Sequence, residues 1–233
     1  MTTEGGQTVA AALVRCRNLG LTFGSGTSAV VAVRGVSCAI FPGDRIAVVG
    51  PSGSGKSTLL HLFAGLVPPT AGTIAGELAE REERSRPGTV GLVFQSPSLI
   101  PALNVAENVA LPLILAGTPE ESASAEASDA LELLGIRWLA GSLPEELSGG
   151  QAQRAAVARV LASRPRLILA DEPTGQLDHA TGTHVIQTLI HAADTLDAAL
   201  IVTTHDPLIA GMLNETWQMQ DGGLTAPPRQ GRS

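Results

Sequence analysis

The segment Gly50-Pro-Ser-Gly-Ser-Gly-Lys-Ser57 constrains this chain more than any other. The apolar run Arg45-Ile-Ala-Val-Val49 leads into it, and Lys56 to Gly65 reads as the helix that leaves it. Gly50, Gly53 and Gly55 let the backbone curl so that successive N–H groups point at one anion, and the helix N-terminus adds the positive end of its dipole. A G-x-x-x-x-G-K-[ST] pattern between a strand and a helix is a phosphate-binding loop, so the chain needs a strand-turn-helix unit and an α/β core to carry it. Lys56 then neutralises the β- and γ-phosphates, and Ser57 coordinates Mg²⁺. The other reading of such a segment is a Gly/Ser turn before an ordinary helix.

Cation usage favours the phosphate reading. The chain has 14 arginines and one lysine, Lys56. A lone lysine marks a place that needs a compact ammonium on a long stem, where a planar guanidinium does not fit.

Further along, Leu167-Ile-Leu-Ala-Asp-Glu172 is an apolar strand ending in two acids, which a parallel sheet delivers to the edge where the phosphate loop also emerges. Asp171 suits the Mg²⁺ shell. Glu172, on the opposite face by strand alternation, suits a water as general base. Taken alone, the pair is equally well the solvated end of a strand.

The rest of the chain agrees with a layered α/β fold. Leu13–Arg17, Ala29–Val33, Val36–Phe41 and Arg45–Val49 read as short strands, an antiparallel start feeding a buried one. Thr89–Phe94, Leu167–Ala170 and Ala199–Thr203 alternate with helices over Gln151–Ser163 and His179–Ala193, which predicts a mostly parallel sheet covered on both faces. Asn104–Ala116 and Glu120–Gly135 read as an inserted helical lobe. Glu77 to Gly88 reads as a solvated connector, and Thr225 to Ser233 as a frayed tail.

Hydrophobic residues form 44% of the chain against 16% charged, so it folds as an ordered domain. The net charge of -7 argues against nucleic acid as a partner. No apolar run is long enough to span a membrane, and the N-terminus lacks the pattern of a signal peptide, which points to the cytosol. Cys16 and Cys38 read as small core residues, and Trp138 and Trp217 as packing.

Between the two motifs stands Leu147-Ser-Gly-Gly-Gln-Ala-Gln-Arg154. With it the chain resembles an ABC transporter ATP-binding subunit over residues 12 to 224. The resemblance implies one ATP-binding domain, a P-loop NTPase core with an N-terminal antiparallel β-subdomain and a helical subdomain inserted at about 97–155. It implies ATP and Mg²⁺ as cofactors, with ATP held by Gly50, Pro51, Ser52, Gly53, Ser54, Gly55, Lys56, Ser57 and Thr58. It also implies ATP hydrolysis and a head-to-tail homodimer on ATP binding, in which Leu147, Ser148, Gly149, Gly150 and Gln151 meet the γ-phosphate on the partner's loop.

Ser148 is equally well placed as a helix N-cap, and the two roles are compatible. Gln95 matches the glutamine that senses Mg²⁺ and γ-phosphate, Asp178 the dimer-seam aspartate, and His205 the histidine that contacts the γ-phosphate. His61, His179, His184 and His191 lack that context and read as ordinary helix or surface residues. The family's adenine-stacking residue is usually Tyr, absent here; Phe23 is the candidate, and a core role for Phe23 is the other reading.

Phe94-Gln-Ser-Pro-Ser-Leu-Ile-Pro101, Asn104-Val-Ala-Glu-Asn-Val109 and Leu111-Pro-Leu113 are similar to the branch of macrolide exporters, lipoprotein-release systems and FtsE-like subunits. That implies a membrane-spanning permease as partner, a place on the inner face of the cell membrane, and export. A regulatory ATPase that controls a cell-wall hydrolase without transport stays open beside it. A docking groove near Gln95 would use some of Leu99, Ile100, Leu103, Val105 and Val109, each of which singly reads as well as lobe core.

Because Lys56 is the only ε-amine, an amine-selective reagent modifies it and the N-terminal amine alone. Saturating Mg-ATP is expected to protect Lys56 from labelling, as read by peptide mapping, and Lys56→Arg is expected to lose most hydrolysis. Labelling indifferent to nucleotide would remove Lys56 from the phosphates.

Overall fold

The computed structural model describes residues 11–80 and 88–226. In chain order these run β1 (Val14–Phe23), β2 (Val30–Ile40), β3 (Arg45–Val49), α1 (Lys56–Phe63), β4 (Ala71–Ala75), β5 (Val90–Val93), α2 (Val105–Leu115), α3 (Glu120–Leu133), α4 (Gly149–Leu161), β6 (Leu167–Asp171), α5 (His179–Thr195), β7 (Ala199–Thr204), α6 (Pro207–Ala210), β8 (Glu215–Gln220) and β9 (Gly223–Thr225). Two sheets result. An antiparallel one has the order β2-β1-β4, and a six-stranded one has the order β5-β6-β7-β3-β8-β9, parallel except for β9.

Strand alternation divides the apolar side chains of the larger sheet between two cores. Ala47, Ile168, Ala170, Leu200 and Val202 face the helices α2 to α5. Their neighbours Ile46, Val48, Leu167, Leu169 and Ile201 face α1 and the antiparallel sheet. Because both faces are covered, the central strands read as unbroken apolar runs. In β6 and β7 nothing polar enters until the C-terminal ends, where Asp171 and Thr203–Thr204 stand.

Three side chains fix the loop that leaves β5 to the helices that follow it. Asn108 of α2 is fully buried; its amide donates to the carbonyls of Ile100, Leu103 and Asn104, and its Oδ1 accepts from the Ile100 N–H at 2.7 Å. Gln153 of α4 donates to the Phe94 carbonyl. Arg159, further along the same helix, donates to the carbonyls of Pro97 and Ser98. Burial lowers the Arg159 pKa from its ordinary value. The loop 94–104 is thereby fixed to α4 at one end and to α2 at the other.

Several expectations are corrected. The two runs from Ala29 to Phe41 form the single strand β2, bent at Gly35 (φ +61°), and β1 continues past Arg17 to Phe23. β4, β8 and β9 carry weak apolar patterns and are absent from the sequence reading; β9 pairs Thr225 with Gln218, so the tail starts later than residue 225. The connector begins as anchored chain: Leu78 is 2% exposed, its N–H reaches the Leu13 carbonyl, and Glu77 pairs with Arg166. Residues 81–87, 227–233 and the N-terminal residues 1–10 lie outside the described residues. Trp217 packs in the core as expected, whereas Trp138 is 72% exposed. Cys16 is buried and Cys38 half-buried, directly opposite each other across β1 and β2. Val105 and Val109 are fully buried in the lobe and cannot line a groove; Ile100 is exposed and Leu99 half-buried.

Asn108→Ala removes the amide's two N–H donors, shared among three carbonyls, and leaves the Ile100 N–H without its side-chain acceptor. It is expected to cost about 1–3 kcal/mol of stability in urea unfolding, with loop 94–104 losing hydrogen-exchange protection first.

Candidate functional site

Parallel strands β3, β6 and β7 all end at one edge, and a cleft of about 750 Å³ opens there. One wall is the loop from Ser52 to Thr58, another Gln95, Glu172 and His205, and the third Val30 to Ala32 of β2. The volume is ordinary for a small-molecule site.

The loop geometry depends on its glycines. A Cβ at Gly50 would sit 2.1 Å from the Met219 carbonyl oxygen, and one at Gly55 2.2 Å from that of Ala32, so β8 and β2 press the loop from outside. Gly53 has open space around it but holds φ +76°, a conformation most side chains avoid. Gly55 is also the N-cap of α1, and no side chain caps that helix. The first-turn N–H groups are thus left to an anion in the cleft. Ser54 Oγ, buried in the same loop, has no hydrogen-bond partner among the described residues.

Lys56 lies over its own loop. Its Nζ donates to Gly50 O at 2.9 Å and Pro51 O at 3.2 Å and lies 3.6 Å from Glu172 Oε1. The other Glu172 oxygen is 2.6 Å from His205 Nδ1. One carboxylate therefore joins Lys56 and His205 at the cleft. Glu172 is a non-glycine residue at φ +46°, which turns it out of the β6 line. Asp171 stays on the strand, its Oδ1 2.6 Å from the hydroxyl of Thr203.

Gln95 is exposed beside the same cleft, and a Cβ on Gly175 would lie 3.2 Å from its Nε2. Phe23 is 48% exposed at the end of β1, paired across the sheet with Val30; the core reading of Phe23 is thereby overturned. Val30 and Val31, both exposed, form the apolar wall instead. No signal in the sequence distinguishes these valines from core residues of the same strand, because only the uncovered face of β2 exposes them.

The second glycine-rich segment lies outside this cleft. Ser148 is the N-cap of α4 in a reciprocal capping box: its Oγ accepts from the Gln151 N–H, and Gln151 Oε1 accepts from the Ser148 N–H. Gly149 faces open space, but a Cβ on Gly150 would come within 2.7 Å of Thr181 Cγ2. Thr181 is itself held by Asp178, whose carboxylate accepts from its N–H and its hydroxyl. Those bonds, the hydroxyl's first, hold the Asp178 carboxyl below its usual range. Gly150 thus owes part of its identity to close packing against the start of α5, a role invisible in the sequence.

A family model described as "ABC transporter" matches residues 33–175, well over half of the chain. The chain belongs to the ABC transporter family. It is 41% identical over 212 residues to the lipoprotein-releasing system ATP-binding protein LolD of Legionella pneumophila (strain Paris), spanning 88% of this chain and 93% of that protein. It is 43% identical over 199 residues to LolD 2 of Caulobacter vibrioides, spanning 82% and 87%. Among solved structures, the dimeric post-hydrolysis state of an ATP-binding cassette bound to ADP and Pi superposes with a TM-score of 0.82 at 33% identity, covering 93% of this chain and 99% of that one. This ABC transporter subunit binds ATP and is an ATPase. Its α/β architecture, with one antiparallel and one mostly parallel sheet, is that of the family's cassettes.

Gly149 and Gly150 are expected to respond differently to substitution. Gly149→Ala gains helix propensity in open space and should leave the melting temperature unchanged or slightly raised. Gly150→Ala must displace a doubly hydrogen-bonded threonine and should lower it, although the propensity change is the same; equal effects would show that the close approach carries no weight.

Proposed function

We propose that this ABC transporter subunit powers a separate membrane-spanning permease, and that its active dimer is head-to-tail with two ATP molecules between the subunits. The observation that carries the reading is Glu172, set between Lys56 Nζ and His205 Nδ1 over an uncapped, glycine-wound phosphate loop. The triphosphate lies along the Gly50 to Thr58 backbone with Ser54 as a further donor. Lys56 leaves the Gly50 and Pro51 carbonyls for the phosphates, and the base rests against the Val30–Val31 wall with Phe23 at its rim. Hard oxygen donors on Ser57, Asp171 and Gln95 fit Mg²⁺, which takes one or two carboxylates together with phosphate oxygens. When bound, the ion supplies charge neutralisation at the β- and γ-phosphates.

Displacement of Lys56 and His205 towards the phosphates releases the Glu172 carboxylate. It accepts a proton from a water as that water's oxygen bonds to the γ-phosphorus, and the bond to the β–γ bridging oxygen breaks to leave ADP. His205 holds the γ-phosphate oxygens. Leu147, Ser148, Gly149, Gly150 and Gln151 of one subunit close on the nucleotide of the other through the first-turn amides of α4, while Ser148 stays the helix cap. Asp178 lies at the seam.

The names of the relatives favour release of membrane-anchored lipoproteins over control of a cell-wall hydrolase. Lipoprotein release is the form of the expected outward-directed transport that we adopt. Among the described residues no helix is long and apolar enough to cross a membrane, in keeping with a subunit held at the inner face of the membrane by its permease. Exposed Ile100 and half-buried Leu99 and Leu103, on the loop that carries Gln95, are the residues we assign to permease docking.

Glu172→Gln keeps the shape and removes the proton acceptor. It is expected to bind ATP, lose turnover by at least about a hundredfold, and sediment as a dimer with ATP and a monomer with ADP. Turnover at the level of the unmodified protein would remove Glu172 from the base role; a dimer that ignores nucleotide would place the seam elsewhere.

A further inference from the structure

One fully buried polar group in this region has no part in the mechanism above. Thr203 of β7 is paired with Asp171 of β6 and is 0% exposed. Its hydroxyl lies 2.6 Å from Asp171 Oδ1 and 2.9 Å from the Glu172 nitrogen. An ionised carboxylate only accepts and an amide only donates, so the hydroxyl must donate to Asp171 and accept from Glu172. The Glu172 N–H also reaches the Thr203 carbonyl at 3.2 Å, a three-centre arrangement that ties this one amide to one residue twice.

Those bonds fall where the backbone changes course. Asp171 is the last residue of β6, and Glu172 comes next at φ +46°. Such a conformation persists in a non-glycine residue only when its surroundings over-determine it. An ordinary ladder bond to the Thr203 carbonyl does not reach the carboxylate of Asp171. The side-chain hydroxyl does both at once, and no hydrophobic residue of the same shape has that ability.

We infer that Thr203 is a positioning residue for both acids: its single hydroxyl sets the rotation of the Asp171 carboxylate and pins the left-handed backbone that carries Glu172 into the cleft. The inference rests on the roles proposed above for Asp171 and Glu172. It predicts that the hydroxyl matters for what those acids do with a nucleotide and much less for whether the phosphate loop binds one, because Thr203 touches no residue of that loop by any hydrogen bond found among the described residues.

The full chain is compared with Thr203→Val, Thr203→Ser and Glu172→Gln in four measurements. These are kcat and KM for ATP, the Mg²⁺ concentration giving half-maximal turnover, the affinity for a fluorescent ATP analogue in EDTA, and the melting temperature without ligand. Thr203→Val keeps the shape and removes the hydroxyl. It is expected to lower kcat roughly tenfold to a hundredfold and raise the Mg²⁺ requirement, the usual cost of losing a group that orients a metal ligand. Its metal-free nucleotide affinity is expected to stay within about twofold of the unmodified protein's, because the loop's own amides supply it.

Thr203→Ser keeps the hydroxyl and opens a small void. It should melt below the valine variant yet recover kcat to within about threefold. Turnover that tracks the melting temperatures, or a valine variant with unaltered kcat and Mg²⁺ dependence, overturns the inference. If Glu172→Gln is inactive while Thr203→Val is fully active, the positioning role alone fails; if Glu172→Gln keeps full turnover, the assignment of Glu172 fails and the inference falls with it.

Discussion

A helix that begins on a glycine, with no side chain to cap it, is the constraint to which the rest of this structure answers. The first turn of α1 leaves its amides facing a cleft, in a loop where Ser54 Oγ is also unpartnered. Unpaired donors of that kind are costly when withdrawn from water, and they become an asset only when an anion is brought to them. Everything around the loop either shapes it or supplies what an anion there requires. The carbonyls of Ala32 and Met219 press so closely on Gly55 and Gly50 that no other residue fits. Lys56 turns its ammonium towards the Gly50 and Pro51 carbonyl oxygens and Glu172, the negative ends within its reach.

The sheet explains why the acids reach the same place. β3 feeds the phosphate loop, β6 ends in Asp171, and β7 ends in Thr203 and Thr204, one residue short of His205. All three are parallel neighbours, so their polar ends are level. The apolar bodies of these strands, buried on both faces, contribute the rigidity; the site is built from the residues at and just beyond their C-terminal ends. A side chain offset by even one residue along β6 would have faced the other core, because alternation sends Ile168 and Ala170 to one layer and Leu167 and Leu169 to the other.

The same economy joins parts that look separate in the chain. α4 begins with the capping box of the signature segment, and further along it grips the loop of Gln95 through Gln153 and Arg159. Its second glycine packs on Thr181, which Asp178 holds at the start of α5. A displacement of any one of these segments therefore strains the others, so the loop of Gln95, the start of α4 and the start of α5 are mechanically joined.

The glycine-wound loop, the acid pair and the Ser148 cap were legible in the sequence because each is a local pattern, written in neighbours a few residues apart; Gln95, Asp178 and His205 were singled out only by the family resemblance, and the fold brings Gln95 and His205 to the cleft of Glu172. β4, β8 and β9 were not legible, since their residues alternate too weakly and their strands exist only because a partner strand stands beside them. The exposure of Phe23 and Val30–Val31 was not legible for the same reason: whether an apolar side chain in β1 or β2 meets core or cleft depends on which sheet face is left uncovered. Val105 and Val109 went into the lobe rather than a groove once Asn108, between them in spacing, buried its amide against loop 100–104. Thr203 stands furthest from the sequence, as one threonine among several in a β-rich run. Only the parallel register of β6 against β7, a contact between residues 32 apart in the chain, puts its hydroxyl between Asp171 and Glu172. Sequence determined which chemical groups this protein has and which local turns present them; the pairing of distant strands decided which groups meet, because hydrogen bonds act over a few ångströms and only tertiary packing brings distant residues that close.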